Sequence, residues 1–290
     1  MLNRLFGNYL VEKNTLTAQQ LDELLPVPKS FNAEVETIAV ITKMILPSAA
    51  QELLESIDKS KTRFGDAAIE AGYIDDEKLE QILSYQSNTF MKFIQLVLDN
   101  GYLSLEKINP LLDDFQKESE FSDEQMSALI HDDLAQCVEI FVPLKSPQLK
   151  ELALTMVQTL RRLIDADVYL EKAYTARSLQ LDKYACQSII GDFHIRVYMS
   201  APGDGLLAIA NHFTGDTYSS VTDDALDNVG EFINCINGLF ATNLSYDDVS
   251  IDMNSPEFSQ EGPYLSNEKL YVIPIHAHGY GFRAVFEVYE

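Results

Sequence analysis

The chain has little positive charge. Its 290 residues include 21 Lys and Arg against 45 Asp and Glu, which gives a formal net charge of −24. The acidic residues are spread through both halves and do not form a tail. So acidic a surface argues against binding to nucleic acid or to an anionic membrane surface. A protein partner that offers a Lys or Arg patch is compatible with it.

Cysteine and long apolar runs are also scarce. The three cysteines, Cys137, Cys186 and Cys235, lie far apart and follow no metal-binding spacing. An odd and sparse count is typical of a reducing compartment rather than of a disulfide scaffold. No segment reaches transmembrane length, and the first residues lack the apolar core of a signal peptide. We therefore expect a cytoplasmic protein without membrane insertion.

The patterns of several common active sites are absent. The sequence has neither a Walker phosphate loop nor a Gly-x-Ser-x-Gly nucleophile elbow. The one close histidine pair, His276 and His278, would share one face of a strand, as a metal site requires. No third ligand is fixed by the sequence, so we favour ordinary strand histidines. We expect this chain to bind no metal ion and no cofactor.

The length predicts two domains. Residues 142–147 contain two prolines, which end a helical pattern and mark a boundary. We place an all-α domain of helical hairpins at residues 1–145. Residues 148–290 interleave strand-like runs with long helices, which predicts an α/β or α+β domain with long helices packed on a sheet. Within it we predict a helix over 149–166 and strands near 168–176, 186–190, 194–199, 206–210, 249–253, 270–276 and 282–289.

The first half contains a repeated helical hairpin, with copies that begin at Phe6, Phe64 and, more loosely, Phe93. Each copy predicts a short helix, a left-handed turn residue, an N-cap residue and a second helix. The turn residues are Asn14, Gly72 and Gly101, and the caps are Thr17, Asp75 and Ser104. Repeats at this scale indicate stacked supersecondary units.

These copies resemble the MshEN-type amino-terminal domain of type II secretion and pilus ATPases. In some of those domains a pair of Arg-Leu-Gly-type motifs binds cyclic di-GMP. Arg63-Phe64-Gly65 is similar to that motif, whereas Leu5 stands where the first copy would need Arg. The resemblance makes Arg63 and Gly65 candidate nucleotide-binding residues. We favour packed hairpins over cyclic di-GMP binding, because short motifs transfer poorly between families.

A polar face on one predicted helix near the end of the chain is the strongest candidate site. Asp227, Glu231 and Asn234 follow each other at i, i+4 and i+7, so they share one side of the helix. A neighbouring apolar stripe would bury the helix, and it consists of Leu226, Val229, Ile233, Ile236 and Phe240. The acid–amide pair has no nucleophile and no imidazole, so it is suited to completing a site on another molecule.

The pattern Asp/Ser-x-x-x-Glu-x-x-Asn, followed by Gly238 and set between strands, resembles the signature of the CheC–CheX–FliY chemotaxis phosphatases. The resemblance covers about the second half of the chain. It implies a phosphatase that acts on the phospho-aspartate of a CheY-like response-regulator receiver domain. The long helix predicted over 149–166 carries no second Glu-x-x-Asn, which is similar to CheX. A CheX-like chain is expected to form a homodimer.

The resemblance also implies a role for each residue of the motif. Asn234 would orient the attacking water, and Glu231 would contact a Lys of the receiver. Asp227 would shape the helix face or the docking rim, and the receiver would supply its own Mg²⁺. The alternative is a non-catalytic signalling adaptor that binds a receiver and, through its amino-terminal helices, a partner or cyclic di-GMP.

Overall fold

The structure, a computed structural model, describes residues 1–28, 30–58, 61–246 and 249–289, without the side chain of Glu268. Contacts between Cα atoms group the chain into two compact units, residues 2–132 and residues 133–290. The proline-containing segment 142–147 lies inside the second unit, between two helices that pack on each other. The domain limits 1–145 and 148–290 stay a prediction.

The regular elements described in the first unit are all helices. They are α1 (Leu2–Glu12), α2 (Ala18–Leu24), α3 (Val35–Ile41), α4 (Pro47–Ser56), α5 (Phe64–Glu70), α6 (Asp76–Ser84), α7 (Thr89–Asp99), α8 (Leu105–Glu118) and α9 (Asp123–His131). The three turn residues of the predicted hairpins have left-handed backbones, with φ of 58° at Asn14, 74° at Gly72 and 72° at Gly101. The predicted hairpins are therefore present, as α1–α2, α5–α6 and α7–α8.

Two of the three predicted caps form side-chain hydrogen bonds. Thr17 and Gln20 make a capping box at the start of α2, and Asp75 accepts from the backbone N–H of Lys78 at the start of α6. Ser104 occupies the N-cap of α8 but makes no cap bond with its side chain. Each bonded cap satisfies a backbone donor that the first helical turn leaves without a partner.

A further hairpin, α3–α4, was missed in the sequence. Its turn residue is Lys43, with φ of 58°, and Ala39 O accepts from the N–H groups of Met44 and Ile45. Leu10 O accepts in the same way from Thr15 and Leu16 in the α1–α2 hairpin. A left-handed lysine is uncommon, since glycine and asparagine are favoured in that conformation, so no turn was predicted at Lys43.

The second unit combines helices with an antiparallel sheet. Its helices are α10 (Leu134–Phe141), α11 (Pro147–Leu163), α12 (Leu207–Phe213) and α13 (Asp223–Ser245). Its strands are β1 (Tyr169–Leu170), β2 (Tyr174–Gln180), β3 (Lys183–Gly191), β4 (Ile195–Ala201), β5 (Ile251–Met253), β6 (Glu257–Ser259), β7 (Tyr264–Ala277) and β8 (Tyr280–Val288).

The strands form one sheet in the order β1-β7-β8-β4-β3-β5, in which β2 also pairs with β7 and β6 with β3. All of these pairs are antiparallel. The α13 helix packs on β3 and β4 and contacts α11 and α12. The whole predicted stripe of α13, Leu226, Val229, Ile233, Ile236 and Phe240, is buried in this core. Burial of the stripe fixes which face of α13 is left outward.

The strand predicted over residues 206–210 was wrong, because residues 207–210 lie in the short helix α12 and Leu206 is its N-cap. The run Leu206–Ala210 is apolar throughout, and a run of five cannot distinguish a buried strand from a buried helix. Just before it, Gly205 lies so close to Gly281 O and Ala201 Cβ that no side chain fits. The chain leaves the sheet at Gly205. The segment that follows forms the helix α12, which packs on α13.

No helix in the described part of the chain is both long enough and apolar enough to span a membrane.

Candidate functional site

The α13 helix positions the candidate site, and its start is well defined. The Thr222 hydroxyl accepts from the backbone N–H of Ala225, and Asp223 and Asp224 lie in the first turn. Carboxylates at this end interact favourably with the helix dipole. Over its 23 residues the buried side of α13 is fixed by the core, so the opposite side presents a defined row of side chains.

The three predicted motif residues lie on α13, and two of them are fully outward. Asp227 and Glu231 are exposed, and Asn234 is half-buried. Asn234 Nδ2 lies 3.5 Å from Glu231 Oε2, so the acid and the amide sit side by side. Glu231 forms no ion pair with any residue that the structure describes. Its carboxylate is therefore available to a cation from outside the chain.

Asn234 has a second contact that the sequence did not predict. Gln187 Nε2, from β3, donates to Asn234 Oδ1 over 2.7 Å and to the backbone O of Asn254 over 2.8 Å. Asn237 Nδ2, one turn after Asn234, donates to Gln187 Oε1 over 2.8 Å. The only sequence signal was a glutamine within the strand predicted over 186–190. The site therefore has an inner polar layer behind the acid–amide pair.

The surface beyond Asn234 is smooth and partly apolar. A Cβ built on Gly238 meets no atom within 4 Å, and Leu239 is 46% exposed. Gly230, in the same helix, differs, because its Cβ would lie 3.0 Å from Pro256 Cβ. Close packing on Pro256 thus explains the glycine at position 230, whereas no such contact explains the glycine at position 238. We call Glu231, Asn234, Gly238 and Leu239 the outer face of α13.

The three cysteines differ sharply in expected reactivity. Cys137 and Cys186 are buried, and burial raises the pKa of the Cys186 thiol to about 11. Cys235, beside Asn234, is half-buried. At pH 8 a thiol with that raised pKa is ionised in roughly one molecule per thousand, and the thiolate is the reactive form. We predict that limited alkylation modifies Cys235 first, as measured by mass spectrometry of the digested protein.

The Cys235→Ser variant is the control for this labelling, and it should lose the fast phase alone. Equal labelling of Cys186 and Cys235 in the folded wild type would contradict the arrangement of α13.

The predicted nucleotide residues Arg63 and Gly65 lie in the first unit, beside a cavity of about 530 Å³. Gly65 is buried, and a Cβ there would lie 2.7 Å from Leu79 Cδ1, so this glycine lets α6 pack closely on α5. Among the described lining residues, Arg63 is the one cation and faces the acids Glu34, Glu36 and Asp99. Such a lining disfavours a phosphate diester. Cyclic di-GMP binding stays an untested prediction.

The histidine pair does not share one strand face as expected. His276 lies in β7, where its Nε2 contacts Glu171 Oε1 at 2.6 Å. His278 lies in the turn after β7 with φ of 49°, and its ring stacks on His212 at 3.6 Å between centroids. The positive φ turns His278 away from the strand alternation. The described residues hold no group of three or more His, Cys, Asp or Glu side chains placed to bind a metal.

Together these features define an α+β domain in which one long helix, packed on an antiparallel sheet, presents an acid–amide pair outward. Residues 184–276 of this domain match the family model of the chemotaxis phosphatase CheX. The matched segment runs from β3 into β7 and includes all of α13. This match confirms the resemblance of the second half to the CheC–CheX–FliY phosphatases. The MshEN resemblance of the first half stays a prediction.

Several solved structures are similar to the second half. A chemotaxis protein CheX from Desulfovibrio desulfuricans is 18% identical, with 50% of this chain and 100% of that chain covered and a TM-score of 0.43. CheX from Vibrio vulnificus is 14% identical, with 49% and 98% covered and a TM-score of 0.42. A chain of the CheX–CheY–BeF₃–Mg²⁺ complex from Borrelia burgdorferi is 14% identical, with 50% and 100% covered and a TM-score of 0.40. No curated protein matches this chain.

Proposed function

We propose that this protein hydrolyses the phospho-aspartate of a CheY-like receiver domain by inserting Asn234 into the receiver's own site. The observation that carries the proposal is the adjacency of Glu231 and Asn234 on the outward side of α13, with 3.5 Å between their polar atoms. The segment that holds them is the segment that matches the CheX family model. In the Borrelia burgdorferi structure, a CheX is in complex with CheY, BeF₃ and Mg²⁺.

The proposed hydrolysis requires little from this chain beyond the correct placement of Asn234. Phosphoryl transfer is catalysed mainly by placement and by charge, and the receiver would supply Mg²⁺ and a lysine. An amide oxygen has two lone pairs, and its nitrogen has two protons. Asn234 can therefore accept from a water with its oxygen and donate to a phosphoryl oxygen with its nitrogen. Glu231 would pair with the receiver's lysine and so hold the amide where it can place the water in line with the phosphorus.

The experiment that tests this proposal is phosphate release from an acetyl-phosphate-labelled CheY-type receiver, with and without the protein. A catalyst raises the rate of release in proportion to its own concentration when the receiver is in excess. An adaptor, the alternative function, would bind the receiver and leave the rate unchanged. Binding without any acceleration would therefore replace the phosphatase proposal with the adaptor.

The outer face of α13 gives a prediction that separates stability from activity. Glycine inside a helix costs about 0.5–1 kcal/mol relative to alanine, and the Cβ of Gly238→Ala would meet no atom of the fold. We expect Gly238→Ala to raise the free energy of unfolding by about that amount in urea titrations. The same methyl would project toward the turn that carries Asn234, since a helical Cβ points toward the preceding turn. We expect it to weaken receiver binding by about tenfold, since overpacking an interface costs about 1–3 kcal/mol.

Gly230→Ala is the matched comparison in the same helix. Its methyl would press on Pro256, so this variant should lose stability. A Gly238→Ala protein with unchanged affinity would place the docking surface elsewhere. A homodimer stays an expectation from the family, and gel filtration of the wild type tests it.

A further inference from the structure

Gln187 lies directly behind Asn234 and is almost fully buried, at 2% exposure. It extends from β3 toward α13, where its amide group meets Asn234, Asn237 and the backbone of Asn254. Asn254 is itself held to β3, because its N–H donates to Ser188 O over 3.1 Å. The glutamine amide therefore has its two donors and its oxygen engaged at the same time.

This network determines which way the Asn234 amide points. A backbone carbonyl only accepts, so the Gln187 atom that contacts Asn254 O must be the nitrogen. That nitrogen also faces Asn234, so the Asn234 atom that it meets must be the oxygen. The Asn234 nitrogen is then left on the outer side, next to Glu231. A flipped Asn234 would set two N–H groups against each other in a buried site, which is unfavourable.

The fold keeps this arrangement despite an energetic cost. Asn237 is fully buried, and its Nδ2–H donates to Gln187 Oε1. Its Oδ1 has no hydrogen-bond partner among the described residues. A buried polar atom without a partner destabilises a protein, so such atoms are rare. An apolar side chain at 237 would avoid the unpaired oxygen but would leave Gln187 Oε1 unpaired. The presence of Asn237 in the core is therefore explained by the hydrogen bond that it donates to Gln187 Oε1.

We propose that Gln187, itself held by Asn237 and Asn254, is a positioning residue that fixes Asn234 in its reactive orientation. Gln187 uses one lone pair of Asn234 Oδ1 and leaves the other for a water. It also holds the amide nitrogen outward, toward a phosphoryl oxygen. This role rests on the proposed phosphatase function, since it concerns the amide that would orient the water.

The proposed role can be tested first in the free protein, by hydrogen exchange of side-chain amides in ¹⁵N NMR spectra. Both side-chain amide protons of Gln187 should exchange slowly, and those of Asn234 should exchange fast. In the Gln187→Met variant, the Asn234 amide resonances should shift and split into more than one state. Protected Asn234 protons with freely exchanging Gln187 protons would overturn the assigned orientation.

Kinetics then separate a positioning role from a merely structural one. Gln187→Met should lower kcat for phosphate release by about 10- to 100-fold, because a small misplacement of a reacting group can cost that much. Its KM for the receiver should stay within about twofold, since it leaves Glu231, Gly238 and Leu239 of the outer face unchanged. In Gln187→Met the amide nitrogen of Asn237 loses its acceptor, and the double variant Gln187→Met/Asn237→Leu removes that amide as well. It should regain thermal stability while kcat stays low.

Ile189→Val is the matched control, two residues further along the same face of β3, and it should keep the wild-type kcat. If the double variant recovered kcat as well as thermal stability, Gln187 would have a structural role only and the positioning role would be refuted. A wild type that releases no phosphate would overturn the proposed function, and with it the kinetic role of Gln187. The exchange pattern in the free protein still shows whether the amide is held, so the two failures are distinguishable.

Discussion

Asn234→Ala is expected to lower the stimulated rate of receiver dephosphorylation by at least about 100-fold while binding survives. Removal of one preorganised amide from a transition state typically costs that factor. Binding should persist because Asn234 is half-buried and Glu231 and Leu239 are still exposed on the same face. The measurement is single-turnover phosphate release at a saturating concentration of this protein, together with a titration of receiver binding.

Asn243→Ala is the control for this variant. Asn243 lies in the same helix, more than two turns after Asn234, and its Nδ2 donates to Glu151 Oε1 of α11 over 2.7 Å. The Asn243→Ala variant should dephosphorylate the receiver at the wild-type rate. Asn234→Ala also leaves one Gln187 donor without a partner, which we expect to lower stability by about 1 kcal/mol. Turnover at the wild-type rate by Asn234→Ala would refute the role of the amide.

Glu231→Ala carries the second large effect, and it should weaken both binding and turnover. Truncation of one partner of a desolvated interfacial charge pair costs about 2–5 kcal/mol, so the Kd for the receiver should rise about 30-fold or more. Glu231→Gln keeps the shape and removes the charge, so it should lose most of the same affinity. Isothermal titration at two salt concentrations measures both the loss and a flatter dependence on salt.

Asp227→Asn is the matched control for the charge of Glu231. Asp227 is exposed on the same helix face, one turn earlier, and carries the same formal charge. Its loss should change the Kd only about two- to threefold, as expected for a screened charge at a rim. Equal losses for Asp227→Asn and Glu231→Gln would show that general charge attracts the receiver, and would contradict a specific pair at Glu231.

The local parts of the fold were predictable from the sequence. The period of α13 identified its buried stripe from Leu226 to Phe240, because one helix determines which of its residues share a face. The left-handed turns at Asn14 and Gly72 were predictable because each residue type favours that conformation. Lys43 adopts the same conformation without that preference. Its hairpin was missed for that reason.

The inner half of the candidate site was not predictable. Glu231 and Asn234 are three residues apart, so a helix brings them together whatever the rest of the fold does. Gln187 is 47 residues from Asn234 and 67 from Asn254. The packing of α13 on β3 brings Asn234 to Gln187, and the pairing of β3 with β5 and β6 brings Asn254 to it. Contacts at that separation depend on sheet topology, which a helical pattern does not encode. The sequence therefore identified the acid–amide pair and missed Gln187, which lies behind it.

The most direct test of the central claim is a crystal structure of this protein with a CheY-type receiver that carries Mg²⁺ and BeF₃⁻. The fluorides occupy the places of the phosphoryl oxygens. We expect the Asn234 amide to lie within about 3 Å of a fluoride or of a water in line with beryllium, with Glu231 paired with the receiver's lysine. A complex in which α13 contacts another surface, or in which Asn234 stays outside the receiver's site, would contradict it.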